Sequence, residues 1–213
     1  MKEITDAALA ELRGRIKEKM SGKRLCHTLA VEEMTARLCA LFCPEYTQRM
    51  RAAALLHDLT KEVGFEEQKQ LCKQYGIALG DTDLASPKTL HARTAAALIP
   101  IEFPDFDDPM IVNAVRWHTT GRGADSITEQ ILYLADYIDD SRTFAACVEL
   151  RDYFWSAKPE KMEPMARKLH LCRTLVRSFD MTIADLIAEG LPVAVDTVEA
   201  RNARLAQARR MMG

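Results

Sequence analysis

Three features of the 213-residue sequence predict an all-α fold. Over most of the chain, apolar residues recur at intervals of three and four, which is the period of an amphipathic helix. Runs in which apolar and polar residues alternate, as in a half-buried strand, are almost absent. Residues typical of helix starts and stops stand between the periodic segments. We therefore expect one all-α domain over residues 1–213, a helical bundle with its core at 20–155 and additional C-terminal helices over 156–213.

Glycine and proline residues separate the predicted helices of the first half. Ser21 and Gly22 interrupt the helical pattern after the first helix, and Pro44 follows the second. Gly64 and Gly76 end the third and fourth helices. The predicted ranges are helices at 5–19, 23–42, 47–63 and 65–75, a loop at 77–88, a helix at 89–99 that ends at Pro100, and a loop at 100–108.

In the second half, capping side chains mark the helix starts. Asp108 can accept a hydrogen bond from a free backbone N–H group, and Pro109 suits a first helical position because no N–H is needed there. That helix is expected to end in the HTTG segment, with Gly121 as its stop. Ser126 and Glu129 form a capping box before ILYLADYIDD. Three or four further helices are expected at 143–156, 163–179, 182–189 and 196–212, the last two joined by an extended GLPVAVD linker.

The net charge and hydropathy pattern exclude several classes of partner. At a net charge of −2, no whole-molecule field would attract the chain to nucleic acid or to an anionic membrane. The charged, amphipathic N-terminus lacks the apolar region of a signal peptide, and no apolar run approaches the ~18 residues of a membrane span. None of the six cysteines forms a C-x-x-C pair, so we expect reduced, buried thiols. We therefore predict a cytoplasmic protein with no membrane or nucleic-acid partner.

The candidate functional residues are histidines and aspartates in apolar surroundings. A single histidine on an apolar helix is more often a hydrogen-bonded core residue than a metal ligand, and His170, which lies outside every motif, is expected to be structural or exposed. Asp136 lies inside the apolar run ILYLADYI. Because an unpaired buried carboxylate is strongly destabilising, Asp136 needs a cation, a donor network or a metal ion.

Together, four imidazoles and two carboxylates from five predicted helices favour a metal site. They are His27, His57, Asp58, His91, His118 and Asp136. Histidine and carboxylate ligands without thiolates suit iron, manganese, zinc or nickel better than calcium or magnesium. Adjacent residues such as His57 and Asp58 point ~100° apart on a helix, so one ion would take both only at a bent helix end. Six ligands are too many for one open catalytic ion and suit two.

Five segments of the sequence carry a resemblance to a known family. They are RLCHTLAV at 24–31, LLHDLTKE at 55–62, LHARTAA at 90–96, RWHTTGR at 116–122 and ILYLADYIDDSR at 131–142. Over about residues 20–155, this pattern resembles the bacterial HD-domain symmetrical bis(5′-nucleosyl)-tetraphosphatases. The resemblance implies an HD-domain helical bundle that hydrolyses diadenosine tetraphosphate, a dinucleoside polyphosphate, to two ADP at a dinuclear metal centre, usually of iron.

The resemblance also implies a division of the six ligands between two metal ions. His27, His57, Asp58 and Asp136 would hold one ion. Asp58 would bridge to a second ion, which His91 and His118 would also hold. We expect iron in both positions, with manganese, nickel and zinc as alternatives. The chain departs from the family pattern at four positions that bear on substrate fit rather than on metal binding: Ala92, Arg93, Ala95 and Asp125.

For the reaction, we hypothesise that a hydroxide bridging the two ions attacks the β-phosphorus in line. Asp58 would act as the bridging catalytic carboxylate. Lys61 lies one helical turn past His57 and Asp58, so it is expected to neutralise a phosphoryl oxygen; the alternative is a solvent-facing lysine at a helix end.

Further candidate substrate contacts stand next to the metal ligands. Thr119, Thr120 and Gly121 follow His118 and would cradle a phosphate through hydroxyl and N–H groups, or would form only an ordinary helix stop. The remaining candidates are Arg24 and Arg142 for phosphate, with surface ion pairs as the alternative, and Trp117 for base stacking, with core packing as the alternative.

Three other functions remain open from the sequence. A nucleotidase of the same HD class would act on mononucleotides, although such enzymes commonly have fewer histidines and one metal ion. A di-iron oxygenase would use the same ligands with oxygen. A regulator would bind nucleotide through an inactive HD fold. A homodimer is an open option for the assembly.

Overall fold

The structure, a computed structural model, describes residues 3–213, and within that range it is helical without a strand, which confirms the all-α prediction. The described helices are α1 Asp6–Lys17, α2 Gly22–Phe42, α3 Thr47–Leu56, α4 Phe65–Gln74, α5 Asp81–Ala85, α6 Leu90–Glu102, α7 Pro109–Trp117, α8 Ile127–Ile138, α9 Ala145–Ser156, α10 Pro164–Ala188 and α11 Val195–Arg210. No helix in the described residues is long and apolar enough to cross a membrane.

The predicted capping side chains Asp108 and Ser126 are present, and Ser21 supplies a further cap that the sequence analysis did not predict. The Ser21 side chain accepts a hydrogen bond from the Arg24 N–H at the start of α2. The Asp108 side chain does the same for the Met110 N–H at the start of α7. At α8, the reciprocal capping box of Ser126 and Glu129 is formed. These caps satisfy backbone donors that the first helical turn leaves free.

Two helix ends differ from the prediction. α3 ends at Leu56 instead of Val63, and residues 57–63 form turns. α6 continues through Pro100 to Glu102, although we expected it to end at Pro100. Proline removes only one intrahelical hydrogen bond at this late position, and the Phe103 N–H still reaches the Ile99 carbonyl at 2.8 Å.

Two further segments are more helical than expected. The predicted loop at 77–88 contains the short helix α5 and leads into a 3₁₀ turn at Pro87–Thr89. The two helices expected on either side of residue 180 are one continuous helix, α10. Tertiary contacts support this continuity, because Asp180 accepts a hydrogen bond from Arg201 of α11 at 2.8 Å and Met181 packs against the core.

The helix packing brings the ligand-bearing elements together. α2 packs against α3 and α8, and α7 packs against α3, α6 and α8. Fully buried leucine and isoleucine side chains fill the space between them, including Leu38, Leu55, Ile131 and Leu134. α10 packs on α8, α9 and α11. This contact supports our proposal that the C-terminal helices belong to one domain with the core.

Predictions for isolated residues have mixed outcomes. His170 is buried, with its ring stacked on Phe154 and its Nε2 atom 3.0 Å from the Phe154 carbonyl oxygen, so it is structural. Five cysteines are buried free thiols, as expected. Cys26 is exposed, and the expectation of burial was wrong for this residue because it faces outward from α2.

Candidate metal centre and the adjoining cavity

The end of α3 resolves the problem posed by adjacent ligands. Because the regular helix stops at Leu56, the following residues turn more tightly, and the Lys61 N–H bonds the Asp58 carbonyl at 3.0 Å. The His57 Nε2 atom lies 3.4 Å from Asp58 Oδ2, and both side chains are buried. Neighbouring residues can therefore face one point, as the sequence analysis required of a bent helix end.

Three of the histidines are oriented by backbone carbonyls three residues earlier. The Nδ1 atoms of His57, His91 and His118 lie 2.6, 2.9 and 2.7 Å from the carbonyl oxygens of Ala54, Lys88 and Val115. A carbonyl oxygen only accepts hydrogen bonds, so each Nδ1 carries a proton and Nε2 is the ring atom left to face the cluster. Such partners fix the ring orientation and tautomer of a metal ligand.

The Asp58 carboxylate lies between two groups of histidines. Its Oδ1 atom is 3.2 Å from His91 Nε2 and 3.8 Å from His118 Nε2. Its Oδ2 atom is 3.4 Å from His57 Nε2 and 3.7 Å from His27 Nε2. One oxygen therefore faces each pair, which is the arrangement that a bridging carboxylate needs.

Asp136 completes the first group from α8. Its Oδ1 atom is 2.9 Å from His27 Nε2 and 3.7 Å from His57 Nε2. Behind His27 stands Asp139, which is fully buried and has its Oδ2 atom 3.3 Å from His27 Nδ1. The sequence analysis missed Asp139; its signal was only an acidic residue one turn after Asp136.

The electrostatics of the cluster favour added positive charge. Burial disfavours a charged ring at His57, yet the Asp58 and Asp136 carboxylates raise its pKa to about 10. Burial also opposes ionisation of the Asp58 and Asp136 carboxyls. The neighbouring His57 and His118 nevertheless hold the pKa of Asp58 well below its usual range. Arg142 and His27 do the same for the pKa of Asp136.

For His91 and His118, burial outweighs the effect of the neighbouring Asp58 carboxylate. It lowers the pKa of His91 to about 4 and also lowers the pKa of His118. Both rings are therefore neutral at neutral pH, and neutral imidazoles and ionised carboxylates are the states that bind metal ions.

Several observations indicate that these residues fit metal ions. The buried Nε2 atoms of His27 and His57 have no hydrogen-bond partner. The Nε2 atoms of His91 and His118 face each other at 3.0 Å, where two lone pairs repel unless a cation or a shared donor lies between them. Two groups of three side chains are close enough to hold an ion, namely His27, His57 and Asp136, and His57, Asp58 and His118.

Three cationic side chains surround this cluster. Arg24 donates to Asp58 Oδ2 at 2.6 Å, and Arg142 donates to Asp136 Oδ1 at 2.6 Å. The Nζ atom of Lys61 lies 3.3 Å from His91 Nε2, and burial lowers its pKa. Lys61 therefore points to the cluster rather than into bulk solvent, while both arginines already bind the cluster's carboxylates.

The three residues after His118 face different directions. The Thr119 hydroxyl lies 3.2 Å from His91 Nε2 and 3.1 Å from His118 Nε2. The Thr120 hydroxyl donates to the Gly121 carbonyl, and the Gly121 N–H donates to the Trp117 carbonyl at 2.8 Å. Of the three, Thr119 alone contacts the histidines, so the geometry favours Thr119 as a phosphate contact.

Gly121 is required by the close approach of the C-terminal helices. Its φ of +64° lies in the left-handed region that favours glycine. A Cβ atom at this position would be 2.8 Å from the Phe179 ring of α10 and 3.0 Å from Ala200 of α11. This residue therefore forms the helix stop that the sequence predicts and also a packing contact with both helices.

Comparisons with known proteins agree with this geometry. The family model described as the HD domain matches residues 24–140, more than half of the chain. The chain belongs to the HD domain family. The resemblance stated from the sequence is thereby confirmed, and all six candidate ligand positions lie within the matched HD domain.

Two bacterial relatives share more than the HD domain signature. A protein of Staphylococcus aureus named bis(5′-nucleosyl)-tetraphosphatase, symmetrical, is 32% identical over 138 residues, which are 64% of this chain and 69% of the relative. A Bacillus subtilis protein of the same name is 28% identical over 182 residues, which are 85% of this chain and 89% of the relative.

A solved structure extends the HD domain comparison to the C-terminal helices. It is described as a predicted HD superfamily hydrolase involved in NAD metabolism from Clostridium acetobutylicum. It has a TM-score of 0.79 and 32% identity, and the match covers 93% of this chain and 97% of that one. The fold beyond residue 140 is therefore shared with that protein.

A cavity of about 480 Å³ opens beside the six candidate metal ligands, a group of side chains that we call the metal cluster. Its buried side, as we name the surface next to the candidate metal ligands, carries Lys61, His118, Thr119, Asp136 and Arg142. Its open side, the surface that faces solvent, carries Phe144, Thr182, Asp185, Leu186 and Glu189. Sequence reasoning missed the open side, because nothing in the spacing of these residues distinguishes them from ordinary surface positions.

Two residues singled out in the sequence have structural contacts away from this cavity. Trp117 does not line the cavity. The guanidinium groups of Arg116 and Arg122 instead lie over the Trp117 ring, 4.1 and 5.4 Å from its centre. Arg93 binds Asp83 at 2.9 Å and the Ala78 carbonyl at 2.7 Å, so it holds the segment before α6 in place.

Proposed function

We propose that this chain hydrolyses diadenosine tetraphosphate symmetrically to two ADP. The observation that carries the proposal is the Asp58 carboxylate, with one oxygen towards His91 and His118 and the other towards His27 and His57. This cluster opens into a cavity that also presents Lys61, Thr119 and Arg142. The names of the relatives from Staphylococcus aureus and Bacillus subtilis support the same substrate.

We propose that the cluster holds two metal ions, with iron favoured and manganese, nickel or zinc as alternatives. His27, His57, Asp58 and Asp136 would hold one ion, and Asp58, His91 and His118 would hold the other. Such ions lower the pKa of water to produce a nucleophile and neutralise charge on phosphoryl oxygens.

The protein's own groups would position the phosphate chain. The Lys61 ammonium, kept in a partly buried position next to His91, would donate to a non-bridging phosphoryl oxygen. The Thr119 hydroxyl would donate to a second oxygen from the opposite side of His91. Arg142 holds Asp136 and lines the cavity, so it would bind the phosphate next to the one attacked. Arg24 binds Asp58, and a role in phosphate binding remains a prediction.

We propose that the cavity accepts one nucleoside diphosphate half of the substrate. Its volume of about 480 Å³ is within the roughly 300–1,000 Å³ usual for small-molecule sites. Phe144 is 70% exposed at its mouth, and Tyr137 lies beside it. An exposed aromatic ring is a stacking surface for a base. Phe144 therefore replaces Trp117 as the favoured stacking residue.

A substrate panel with product analysis tests this function. Purified protein loaded with iron or manganese should convert diadenosine tetraphosphate to ADP alone, as measured by chromatography. Formation of ATP and AMP would contradict symmetrical cleavage, and much faster turnover of mononucleotides would favour a nucleotidase. Oxygen consumption without phosphate release would favour an oxygenase, and two metal ions per chain would support the dinuclear centre.

We also propose a cytoplasmic location, with the dinucleoside polyphosphate and ADP as small-molecule partners and neither nucleic acid nor membrane as a partner. Whether the protein forms a homodimer is a question for light scattering coupled to gel filtration. A measured mass of one chain would reject the dimer.

A further inference from the structure

A second cavity lies on a different part of the molecule. It has a volume of about 580 Å³ and lies between the end of α2, the start of α8 and the pair α10 and α11. It shares no lining residue with the cavity beside the metal cluster. Its apolar surface includes Leu41, Phe42 and Ile127. The proposed reaction uses none of these residues.

The charged side chains of this cavity are mainly cationic. Arg167, Lys168, Arg204 and Arg210 line it, and Asp125 is the one carboxylate among the lining residues. Four positive charges against one negative charge leave a local excess of three, although the whole chain has a net charge of −2. Such a local excess attracts anions irrespective of the overall charge.

Two of the cations at the cavity are free to bind a ligand. Lys168 and Arg210 are exposed, and neither forms an ion pair or side-chain hydrogen bond with another of residues 3–213. They extend from α10 and α11, which pack on each other. Their charges are therefore held near each other by the helix pair without an internal partner.

The other two cations are rigidly placed. Arg204 is only 8% exposed and forms an ion pair with Asp125 at 2.9 Å, but its Nε atom has no hydrogen-bond partner. Arg167 donates to the Leu41 carbonyl at 2.8 Å and the Met162 carbonyl at 3.1 Å, and its Nε atom also lacks a partner. Both guanidinium groups line the cavity, and charge-assisted hydrogen bonds to an anion are stronger than neutral ones.

We propose that this cavity is a second binding site that takes the phosphate groups of a small phosphorylated compound. Its volume suits a ligand of nucleotide size. Arg167 and Arg204 supply fixed donors at the wall, while Lys168 and Arg210 supply charge at the mouth. Leu41 and Phe42 provide an apolar surface for the organic part of the ligand.

Calorimetry on the full-length, metal-loaded chain tests this site with ADP and, separately, with inorganic phosphate. The double variant Lys168→Gln/Arg210→Gln should lose one ADP-binding event that wild type shows, or bind at least about tenfold more weakly there. The matched control is Lys73→Gln/Arg209→Gln, which removes the same charge from exposed positions outside the cavity. Both doubles should retain wild-type hydrolysis, because none of these residues contacts the metal cluster.

The two probes distinguish the source of the phosphate group. The same loss with inorganic phosphate would assign the site to the free anion, whereas a loss with ADP alone would assign it to a phosphorylated organic compound. A single binding event in wild type for both probes would overturn the proposal. So would equal losses in the two double variants, since these would reflect general charge rather than a site.

Discussion

The two sides of the cavity beside the metal cluster differ in burial and in the chemistry that they offer. On the buried side, His118 is only 1% exposed, and hydrogen bonds and ion pairs hold the side chains in place. On the open side, Phe144 is 70% exposed and Asp185 and Glu189 face solvent. The buried side can hold reacting groups in fixed geometry, whereas the open side can adapt to a bound nucleoside. We therefore expect changes on the first to affect mainly kcat and changes on the second mainly KM.

The largest effect is expected for Asp58→Ala, because both groups of histidines lose their shared carboxylate. Hydrolysis should fall by at least about a thousandfold, the scale on which removal of a catalytic group acts. Metal content per chain should fall as well, with the helical circular dichroism retained. Glu62→Gln is the control, an exposed acid in the same turn region. Unchanged turnover in Asp58→Ala would reject the metal mechanism.

The next largest effect is expected for Lys61→Gln. Loss of a donor to a phosphoryl oxygen should lower kcat by about 10² to 10³, with metal content unchanged. Lys88→Gln is the matched control, since Lys88 lines the same cavity but its side chain is 71% exposed and binds Glu189 at 3.3 Å. Steady-state kinetics of both variants would compare the two sides directly. Equal reductions of kcat in the two variants would contradict the expected difference between the buried side and the open side of the cavity.

Asp139→Asn should have an intermediate effect through His27. The carboxylate behind a histidine ligand orients the ring, and its loss should weaken metal binding by about 10- to 100-fold. Metal titration followed by activity would measure this, and excess metal should restore much of kcat. The control is Asp140→Asn, which changes an exposed neighbouring carboxylate and should leave the metal affinity as in wild type. A fall in thermal stability without a change in metal affinity would assign Asp139 a structural role only.

The smallest effect is expected on the open side, for Phe144→Ala. Loss of base stacking, about 1–3 kcal/mol, should raise KM for diadenosine tetraphosphate several-fold or more, with kcat nearly unchanged. Phe144→Tyr should retain the wild-type KM because it keeps an aromatic ring. Ile187→Ala, an exposed apolar residue of α10 outside the cavity, serves as the control. If KM is unchanged in Phe144→Ala, the base binds elsewhere.

Local sequence patterns predicted the helices well where capping residues mark their ends. The starts at Asp108 and Ser126 agree with the structure, since a cap depends only on neighbouring residues. The sequence analysis placed the end of α3 at Val63, seven residues after the observed end at Leu56. The helical period continues past Leu56, but the regular helix ends there and the following residues form turns around His57 and Asp58.

Predictions about recognition were less successful than predictions about ligands. Trp117 was a candidate for stacking because of its position next to His118, yet two arginines pack against it away from the cavity. Phe144 carried no motif and became a candidate only because the fold places it at the mouth of the cavity. A binding surface is assembled from distant segments, and single-chain spacing does not report their proximity.

The sequence by itself determined the all-α fold and the identity of the six candidate metal ligands, because helical periodicity and side-chain chemistry are local properties. The tertiary structure alone decided which Asp58 oxygen faces which histidines, that Asp139 lies behind His27, and that α10 forms part of the cavity. It also placed Asp125 against Arg204 in the second, cationic cavity. These features depend on how helices far apart in the chain pack together, and that packing follows from burial of the whole apolar core.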